Sequence, residues 1–256
     1  MDLGLKGRKA VVTGATRGIG RAIADLFADE GCDVAVCARN PEQVAEAVKA
    51  LEAKGVKAFG QAVDISDGPA LQGFVKAAGE ALGGIDVMVS NASALVQGSD
   101  EAAWRGMFEI DILGAVRTFE AARPFLEAAG EAHGDAAFVI TSSVSAAEAS
   151  NASAYGAMKA ALIHYAKGLA REGAAKRVRA NVVSPGTVFF EGGVWGNVKA
   201  GMPAFFDQMI KRNPTGRMAT PEEVAAATVF LASPRSAFTT GINMIVDGAI
   251  STRVNY

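Results

Sequence analysis

The chain has 256 residues, of which 50% are hydrophobic, 29 are glycine and 8 are proline, a composition that suits a buried sheet with many tight turns. Its formal net charge is −2, it has no long basic cluster and its apolar runs are short, so we expect neither a nucleic-acid nor a membrane partner. Its two cysteines and two histidines have no metal-ligand spacing, and we expect no metal site and a reducing, cytoplasmic location.

Strand and helix patterns alternate along the chain with short turns between them. Apolar runs predict seven strands, at residues 9–12, 33–37, 56–63, 85–89, 137–141, 178–183 and 243–246. Amphipathic patterns predict helices from about residue 18 and at 41–54, 68–82, 101–129, 153–173, 204–211 and 221–232. This alternation predicts a single α/β domain over residues 1–256, with a doubly wound, Rossmann-type parallel sheet of seven strands.

The stretch from Thr13 to Gly20 joins the first predicted strand to the first predicted helix. Its glycines Gly14, Gly18 and Gly20 allow a tight turn and let a pyrophosphate approach without meeting a Cβ. The free N–H groups at the start of the helix then face an anion. The spacing G-x-x-x-G-x-G differs from the general dinucleotide fingerprint, and a simple turn is the alternative for this stretch taken alone.

Tyr155 and Lys159 lie four residues apart in a predicted helix, so their side chains share one face. A nearby cation stabilises tyrosinate, which makes Tyr155 a candidate proton donor or acceptor. Ser142 follows a predicted strand, where its hydroxyl is able to polarise a substrate carbonyl. An ordinary exposed Tyr–Lys pair is the alternative.

The Gly-rich loop, the serine and the Tyr-x-x-x-Lys spacing together resemble the short-chain dehydrogenase/reductase family. In that family the tyrosine is the acid/base, the lysine binds the nicotinamide ribose and tunes the tyrosine, and the serine orients the substrate. The resemblance assigns these roles to Tyr155, Lys159 and Ser142, and Ser143 takes the serine's role if the following loop is one residue short. It extends over nearly the whole chain, through Asn91-Ala92 and the loop that ends in Pro185-Gly186 to the C-terminal third.

The residues after the second strand favour NADP(H), with NAD(H) as the weaker alternative. Ala38-Arg39-Asn40 offers no carboxylate for a ribose 2′-hydroxyl, whereas Arg39 and Arg17 are able to pair with a 2′-phosphate. Asp64 and Ile65 resemble the family's adenine contact. The predicted cofactor-binding residues are Gly14, Thr16, Arg17, Gly18, Ile19, Gly20, Arg39, Asp64, Ile65, Asn91, Tyr155, Lys159, Pro185, Gly186, Thr187 and Val188.

Asp111 departs from the family pattern, which usually has Asn seven residues after a Trp, here Trp104. In the family the backbone carbonyl of that Asn helps to hold a water in a proton relay to the lysine. Asp111 keeps this carbonyl, and we include it in the predicted catalytic set. Dienoyl-CoA reductases of the family also carry Asp there, which keeps C=C reduction open, although they tend to lack the Tyr-x-x-x-Lys spacing.

The sequence therefore predicts an NADPH-dependent oxidoreductase that interconverts a ketone or 3-oxoacyl-like carbonyl and a secondary alcohol by hydride transfer. The alternatives are an enoyl- or dienoyl-type C=C reductase and a non-catalytic NADP-sensing protein. Segment 187–214 is rich in aromatic residues and methionine, which predicts either a substrate lid for a hydrophobic or aromatic small molecule or simple packing. The resemblance also implies a homotetramer.

Overall fold

The computed structural model describes residues 2–96, 98–149 and 151–254. Seven strands form one parallel sheet in the order β3-β2-β1-β4-β5-β6-β7. Their bounds are β1 Lys9–Thr13, β2 Asp33–Ala38, β3 Ala58–Ala62, β4 Val87–Ser90, β5 Ala136–Thr141, β6 Val178–Pro185 and β7 Asn243–Val246. The winding reverses between β1 and β4, so the predicted single-domain, doubly wound fold is confirmed, and ligands of such sheets bind at this reversal.

Nine α-helices cover the sheet in the described part of the chain. They are α1 Gly18–Asp29, α2 Pro41–Glu52, α3 Gly68–Leu82, α4 Glu101–Met107, α5 Gly114–His133, α6 Ala154–Gly173, α7 Val194–Gly201, α8 Pro203–Arg212 and α9 Pro221–Ala232. No helix of that part is long and apolar enough to cross a bilayer.

The sheet is buried on both faces, which explains why its central strands are apolar throughout rather than alternating. Within β1, Val11 packs with the helices α3, α5 and α6, whereas Ala10 and Val12 pack with α1, α2 and α9. Phe74 and Phe27 are fully buried members of the two cores. This two-sided core fixes the positions of the strand ends, where the polar residues of the site lie.

The predicted helix at 101–129 is interrupted in the structure. Residues Phe108–Leu113 form a π-helical segment between α4 and α5, and α5 continues to His133. A π-helical segment inserts an extra residue without changing the apolar character of the sequence, so hydrophobic periodicity does not reveal it. The segment contains Asp111, and such segments are frequent at functional sites.

Segment 187–214 contains two helices, α7 and α8, where the sequence predicted one at 204–211. Neither helix has a fully buried residue, so no core-facing stripe marked α7 in the sequence. The segment is attached at its start through an isolated bridge between Val188 and Ala219. It thus lies on the outside of the sheet's carboxyl edge.

Candidate active site

Asn91, at the end of β4, joins the ends of three strands. Its Nδ2 donates to the carbonyl oxygens of Thr13, at 3.1 Å, and Gly14, at 3.2 Å, and its Oδ1 accepts from the Thr141 hydroxyl at 3.2 Å. The Thr13 hydroxyl in turn accepts from the N–H groups of Asn91 and Ala92. The side chain of Asn91, predicted as a cofactor contact, therefore holds the Gly-rich loop against the sheet.

The Gly-rich loop is shaped by close backbone contacts. Gly14 and Gly18 have φ values of 65° and 54°, a region that glycine adopts without strain. A Cβ on Gly20 would collide with the carbonyl oxygen of Gly14 and the side-chain nitrogen of Asn91. Arg17, at the start of α1, makes no capping hydrogen bond through its side chain. The first turn of α1 thus keeps N–H groups that are suited to bind an anion.

Two of the residues between Gly14 and Gly18, Thr16 and Arg17, contact opposite parts of the molecule. The Thr16 hydroxyl donates to Gln43 Oε1 in α2 at 3.2 Å, and Arg17 Nη1 donates to the carbonyl oxygen of Gly192 at 3.3 Å. Phe190 lies so close to Gly18 that a Cβ there would overlap its ring. Arg17, predicted at a 2′-phosphate, therefore contacts segment 187–214, a placement that no sequence signal indicated.

Arg39 and Asp64 lie after β2 and β3, which are neighbours in the sheet, and both are exposed. Asp64 accepts hydrogen bonds from the Ser66 N–H at 2.9 Å and the Ser66 hydroxyl at 2.7 Å. The backbone N–H first, and then the hydroxyl, lower the pKa of Asp64, and the charge of Arg39 contributes further. Ile65 beside it is buried. Among the described residues 38–40 at the end of β2, Arg39 is therefore the only charged one, and Asp64 lies at the end of the neighbouring strand.

Lys159 is buried beneath Tyr155 on α6. Only 2% of its side chain is exposed, and Nζ lies 5.7 Å from the centre of the Tyr155 ring. The same Nζ donates to the carbonyl oxygen of Thr141 at 3.0 Å, at the end of β5. The structure thus brings the predicted phenol and ammonium together at the sheet edge that carries the Gly-rich loop.

The carboxylate of Asp111 is the direct ionic partner of Lys159. Oδ1 lies 2.9 Å from Nζ, the Asp111 side chain is fully buried, and Oδ2 accepts from the Ala94 N–H at 3.0 Å. The contact is not aligned as a hydrogen bond, and Oδ1 has no hydrogen-bond donor among the described residues. The sequence had assigned Asp111 a role through its backbone carbonyl; the structure adds its side chain, which the π-helical segment turns towards α6.

Ser142 and Ser143 use their hydroxyl groups differently. Ser142 Oγ donates to the carbonyl oxygen of Lys159 at 2.8 Å and is buried against α6. Ser143 has an extended backbone and accepts from the Ser145 N–H at 3.1 Å, which leaves its hydroxyl proton free to donate. Neighbouring residues in extended backbone point to opposite sides. The second serine is therefore the better placed of the two to donate to a substrate.

The loop after β6 contains a buried polar atom with an unfilled hydrogen-bonding capacity. Thr187 Oγ1 is buried and has no partner in the part of the chain that the structure describes. Gly186, before it, packs so closely on Asp247 that an added Cβ would lie 2.8 Å from Asp247 Cβ. Because a buried hydroxyl without a partner is costly, Thr187 indicates a polar ligand group at this point. Together with the glycine turn and the uncapped helix, it fits a dinucleotide.

The described residues contain neither a reactive thiol nor a cluster of potential metal ligands. Burial is the main cause that raises the pKa of both Cys32 and Cys37 to about 12, so neither thiol is a ready nucleophile. Residues 2–96, 98–149 and 151–254 hold no group of three or more His, Cys, Asp and Glu side chains placed to bind a metal ion. The reactive groups of the site are thus hydroxyls, a phenol and an ion pair.

Comparison with known proteins shows which family this chain resembles. The profile of the family described as enoyl-(acyl carrier protein) reductase matches residues 14–251. Isoepoxydon dehydrogenase patN of Aspergillus clavatus is 36% identical over 251 residues, covering 96% of this chain and 95% of that protein. L-sorbose reductase of Gluconobacter frateurii, solved with NADPH and L-sorbose, has a TM-score of 0.90 at 28% identity, covering 99% of this chain and 100% of that one. The NADH-dependent reductase A1-R′ of alginate metabolism has a TM-score of 0.86 at 29% identity, covering 98% and 100%.

The fold and these relatives define the protein as an oxidoreductase with a doubly wound nucleotide-binding sheet. It belongs to the short-chain dehydrogenase/reductase family, which confirms the resemblance found in the sequence.

Proposed function

We propose that the protein is an NADPH-dependent oxidoreductase that interconverts a carbonyl group and a secondary alcohol. The observation that carries this proposal is the buried Lys159, held under the ring of Tyr155 at the sheet edge that bears the Gly-rich loop. Such an arrangement provides a proton-transfer group beside a nucleotide site. The dehydrogenase and reductase names of the relatives support the same reaction class.

Bound NADPH supplies the hydride for this chemistry. The Gly14–Gly20 turn and the first turn of α1 would hold its pyrophosphate, and the Thr187 hydroxyl would pair with a polar group of the dinucleotide. Arg39 would bind the 2′-phosphate. One related structure holds NADPH and another relative is NADH-dependent, so the fold alone does not determine which cofactor binds. In our proposal Arg39 determines the selectivity for NADPH.

In the reductive direction, the Tyr155 hydroxyl donates its proton to the carbonyl oxygen as the carbonyl carbon gains the hydride. The Ser143 hydroxyl donates a hydrogen bond to the same oxygen and stabilises the charge that develops there. The tyrosinate left behind is stabilised by the Lys159 ammonium and regains a proton from solvent. In the oxidative direction the same groups act in reverse.

The two serines provide a paired test of these roles. Ser143→Ala is expected to lower kcat about 10²- to 10³-fold, the usual cost of losing one donor to a developing oxyanion. Ser142→Ala is expected to keep kcat within a few-fold of wild type and to lower the free energy of unfolding by about 1 kcal/mol, because it removes only the bond to the Lys159 carbonyl. Steady-state kinetics and urea denaturation measure both. The reverse ranking of the two activities would reassign the catalytic role to Ser142.

Arg39→Ala tests the cofactor. The variant is expected to raise the Kd for NADPH about 10- to 150-fold and leave that for NADH unchanged, because hydrogen bonds to a charged group contribute about 1.5–3 kcal/mol. Arg17→Ala tests the other arginine predicted to pair with that phosphate; because its Nη1 donates to the Gly192 carbonyl oxygen in this structure, it is expected to raise the Kd for NADPH less than Arg39→Ala does. Fluorescence titration of both cofactors measures these constants. Equal losses for NADPH and NADH in Arg39→Ala would show that Arg39 does not bind a 2′-phosphate.

C=C reduction is the second candidate reaction, because of Asp111 and because the matching family is described as an enoyl reductase. Substrate assays separate it from the carbonyl reaction. NADPH oxidation is followed with aryl ketones, diketones and 3-oxoacyl thioesters, and in parallel with conjugated enoyl thioesters. Turnover of the carbonyl compounds alone is expected. Turnover of the enoyl thioesters alone would support C=C reduction, and tight NADPH binding without any turnover would support a sensor.

We also infer that segment 187–214 is a substrate lid over a hydrophobic or aromatic small molecule. Its aromatic rings pack partly on one another, with Phe189 5.6 Å from Phe206 and Trp195 6.1 Å from Phe205 between ring centres. Its contacts with the Gly-rich loop through Phe190 support a position above the site.

We further propose that the protein is a homotetramer in the cytoplasm. The exposed Phe238 beside the last strand supports an interface between subunits, and the free cysteines support a reducing compartment.

A further inference from the structure

The ion pair between Asp111 and Lys159 has an electrostatic consequence for Tyr155 that the proton-transfer scheme above does not use. Both charged side chains are buried, with 2% and 0% of their surfaces exposed for Lys159 and Asp111 respectively, and their closest atoms are 2.9 Å apart. The carboxylate is fixed from its other side by the Ala94 N–H, and the ammonium by the carbonyl oxygen of Thr141. Neither group is therefore free to turn towards solvent.

No other charged side chain described on the adjoining elements takes part in this cluster. The contacts from β5 are the Thr141 carbonyl and the Ser142 hydroxyl, both uncharged. The charged or titratable groups of α4, the π-helical segment, α5 and α6 that lie nearest in sequence pair with one another or are exposed. They are the exposed pair of Glu101 with Arg105, the half-buried pair of Glu109 with Arg117, and the exposed His164. The ring of Tyr155 therefore faces one ammonium whose charge is opposed by one carboxylate.

A lone ammonium near a phenol favours tyrosinate, and a carboxylate close to that ammonium opposes the effect. Burial keeps both contributions strong, because water screens them little. We propose that Asp111 is a positioning residue whose carboxylate holds Lys159 in place and offsets its charge, so that Tyr155 keeps its proton at neutral pH. A protonated phenol is the form that carbonyl reduction requires. This inference rests on the proposed role of Tyr155, and it concerns the pH range over which that same site is ready to reduce a carbonyl.

The test is a spectroscopic titration of the enzyme without substrate. Tyrosinate absorbance is followed against pH for the wild type and Asp111→Asn, each minus its counterpart that also carries Tyr155→Phe. The subtraction isolates Tyr155 from the other two tyrosines, and burial, the largest cause, raises the pKa of Tyr165 to about 12. The Tyr155 signal is expected to appear at a lower pH in Asp111→Asn than in the wild type. Asp111→Glu, which keeps the charge, is expected to titrate close to the wild type.

A second readout is kinetic. The kcat for alcohol oxidation is expected to increase with pH, and in Asp111→Asn this increase is expected at lower pH than in the wild type. If Asp111 had a purely structural role, its replacement would lower kcat equally at every pH. An unchanged titration, or a shift to higher pH, would overturn the inference. The titration needs no substrate, so it can be measured even if the enzyme turns over none of the carbonyl compounds in the assays above. Conversely, turnover of carbonyl compounds would still support the proposed function even if the titration showed no shift.

Folding of the variants is itself informative. Removing one member of a buried ion pair leaves an unpaired charge, which is more destabilising than removing both. Should Asp111→Asn not accumulate as folded protein, the double variant Asp111→Asn/Lys159→Met is expected to fold and to have the higher Tm. If the double variant is no more stable than Asp111→Asn, the two charges are not coupled and the inference is wrong.

Discussion

The Tyr155→Phe variant is expected to fold and bind NADPH like the wild type while its kcat falls about 10²- to 10⁴-fold, the usual contribution of a positioned acid or base. The ring of Tyr155 packs against a small apolar cluster that includes Met107 and Ala154. Phenylalanine keeps these contacts and removes only the hydroxyl. The loss is therefore expected in kcat rather than in Tm or in the Kd for NADPH.

Tyr165→Phe is the matched control for this variant. Tyr165 lies on the same helix and is half-buried, and burial, the largest cause, raises its pKa to about 12, so it stays protonated near neutrality. Its variant is expected to keep full activity. Steady-state kinetics, differential scanning fluorimetry and NADPH titration are run on both proteins. Comparable activity of Tyr155→Phe and Tyr165→Phe would remove Tyr155 from the mechanism.

The fold was predictable from the sequence because its signals are local and repeated. Each apolar run between turn residues marks a strand buried on both faces, and the alternation with helices leaves one topology class. Asn40-Pro41 and Thr220-Pro221 mark the starts of α2 and α9, where both side chains cap the helix as such residues do. The π-helical segment and α7 were not predicted, since neither changes or creates an apolar stripe.

The candidate site was predictable only as far as spacing reaches. The four-residue separation of Tyr155 and Lys159 placed them side by side, as the structure has them. Which of two adjacent serines faces the substrate depends on the backbone path after β5, and the sequence left that choice open. The carboxylate contact of Asp111 and the contact of Arg17 with Gly192 join segments 48 and 175 residues apart, and no local pattern encodes such pairings.

Gly20→Ala is expected to have a large effect on activity through cofactor binding rather than through proton transfer. Gly20 is in the first turn of α1, and its added methyl group would overlap the carbonyl oxygen of Gly14 and the side chain of Asn91. Neither group can move independently, because one is a backbone atom and the side chain of Asn91 is also hydrogen-bonded to Thr13 and Thr141. The loop therefore has to shift, and kcat/KM is expected to fall about 10²-fold or more, since a misplacement of about 1 Å costs that much.

Gly73→Ala separates this steric effect from a general effect of alanine in a helix. Gly73 is exposed within α3, and a Cβ there meets no atom within 4 Å. Its variant is expected to keep full activity and to gain up to about 1 kcal/mol of stability, because alanine has the higher helix propensity. Gly20→Ala is expected instead to lose about 1–3 kcal/mol from overpacking and to bind NADPH weakly in a fluorescence titration. The close contact that excludes a methyl group at Gly20 also fixes the backbone that we propose binds the pyrophosphate. Normal NADPH affinity in Gly20→Ala would therefore show that cofactor binding does not depend on this turn.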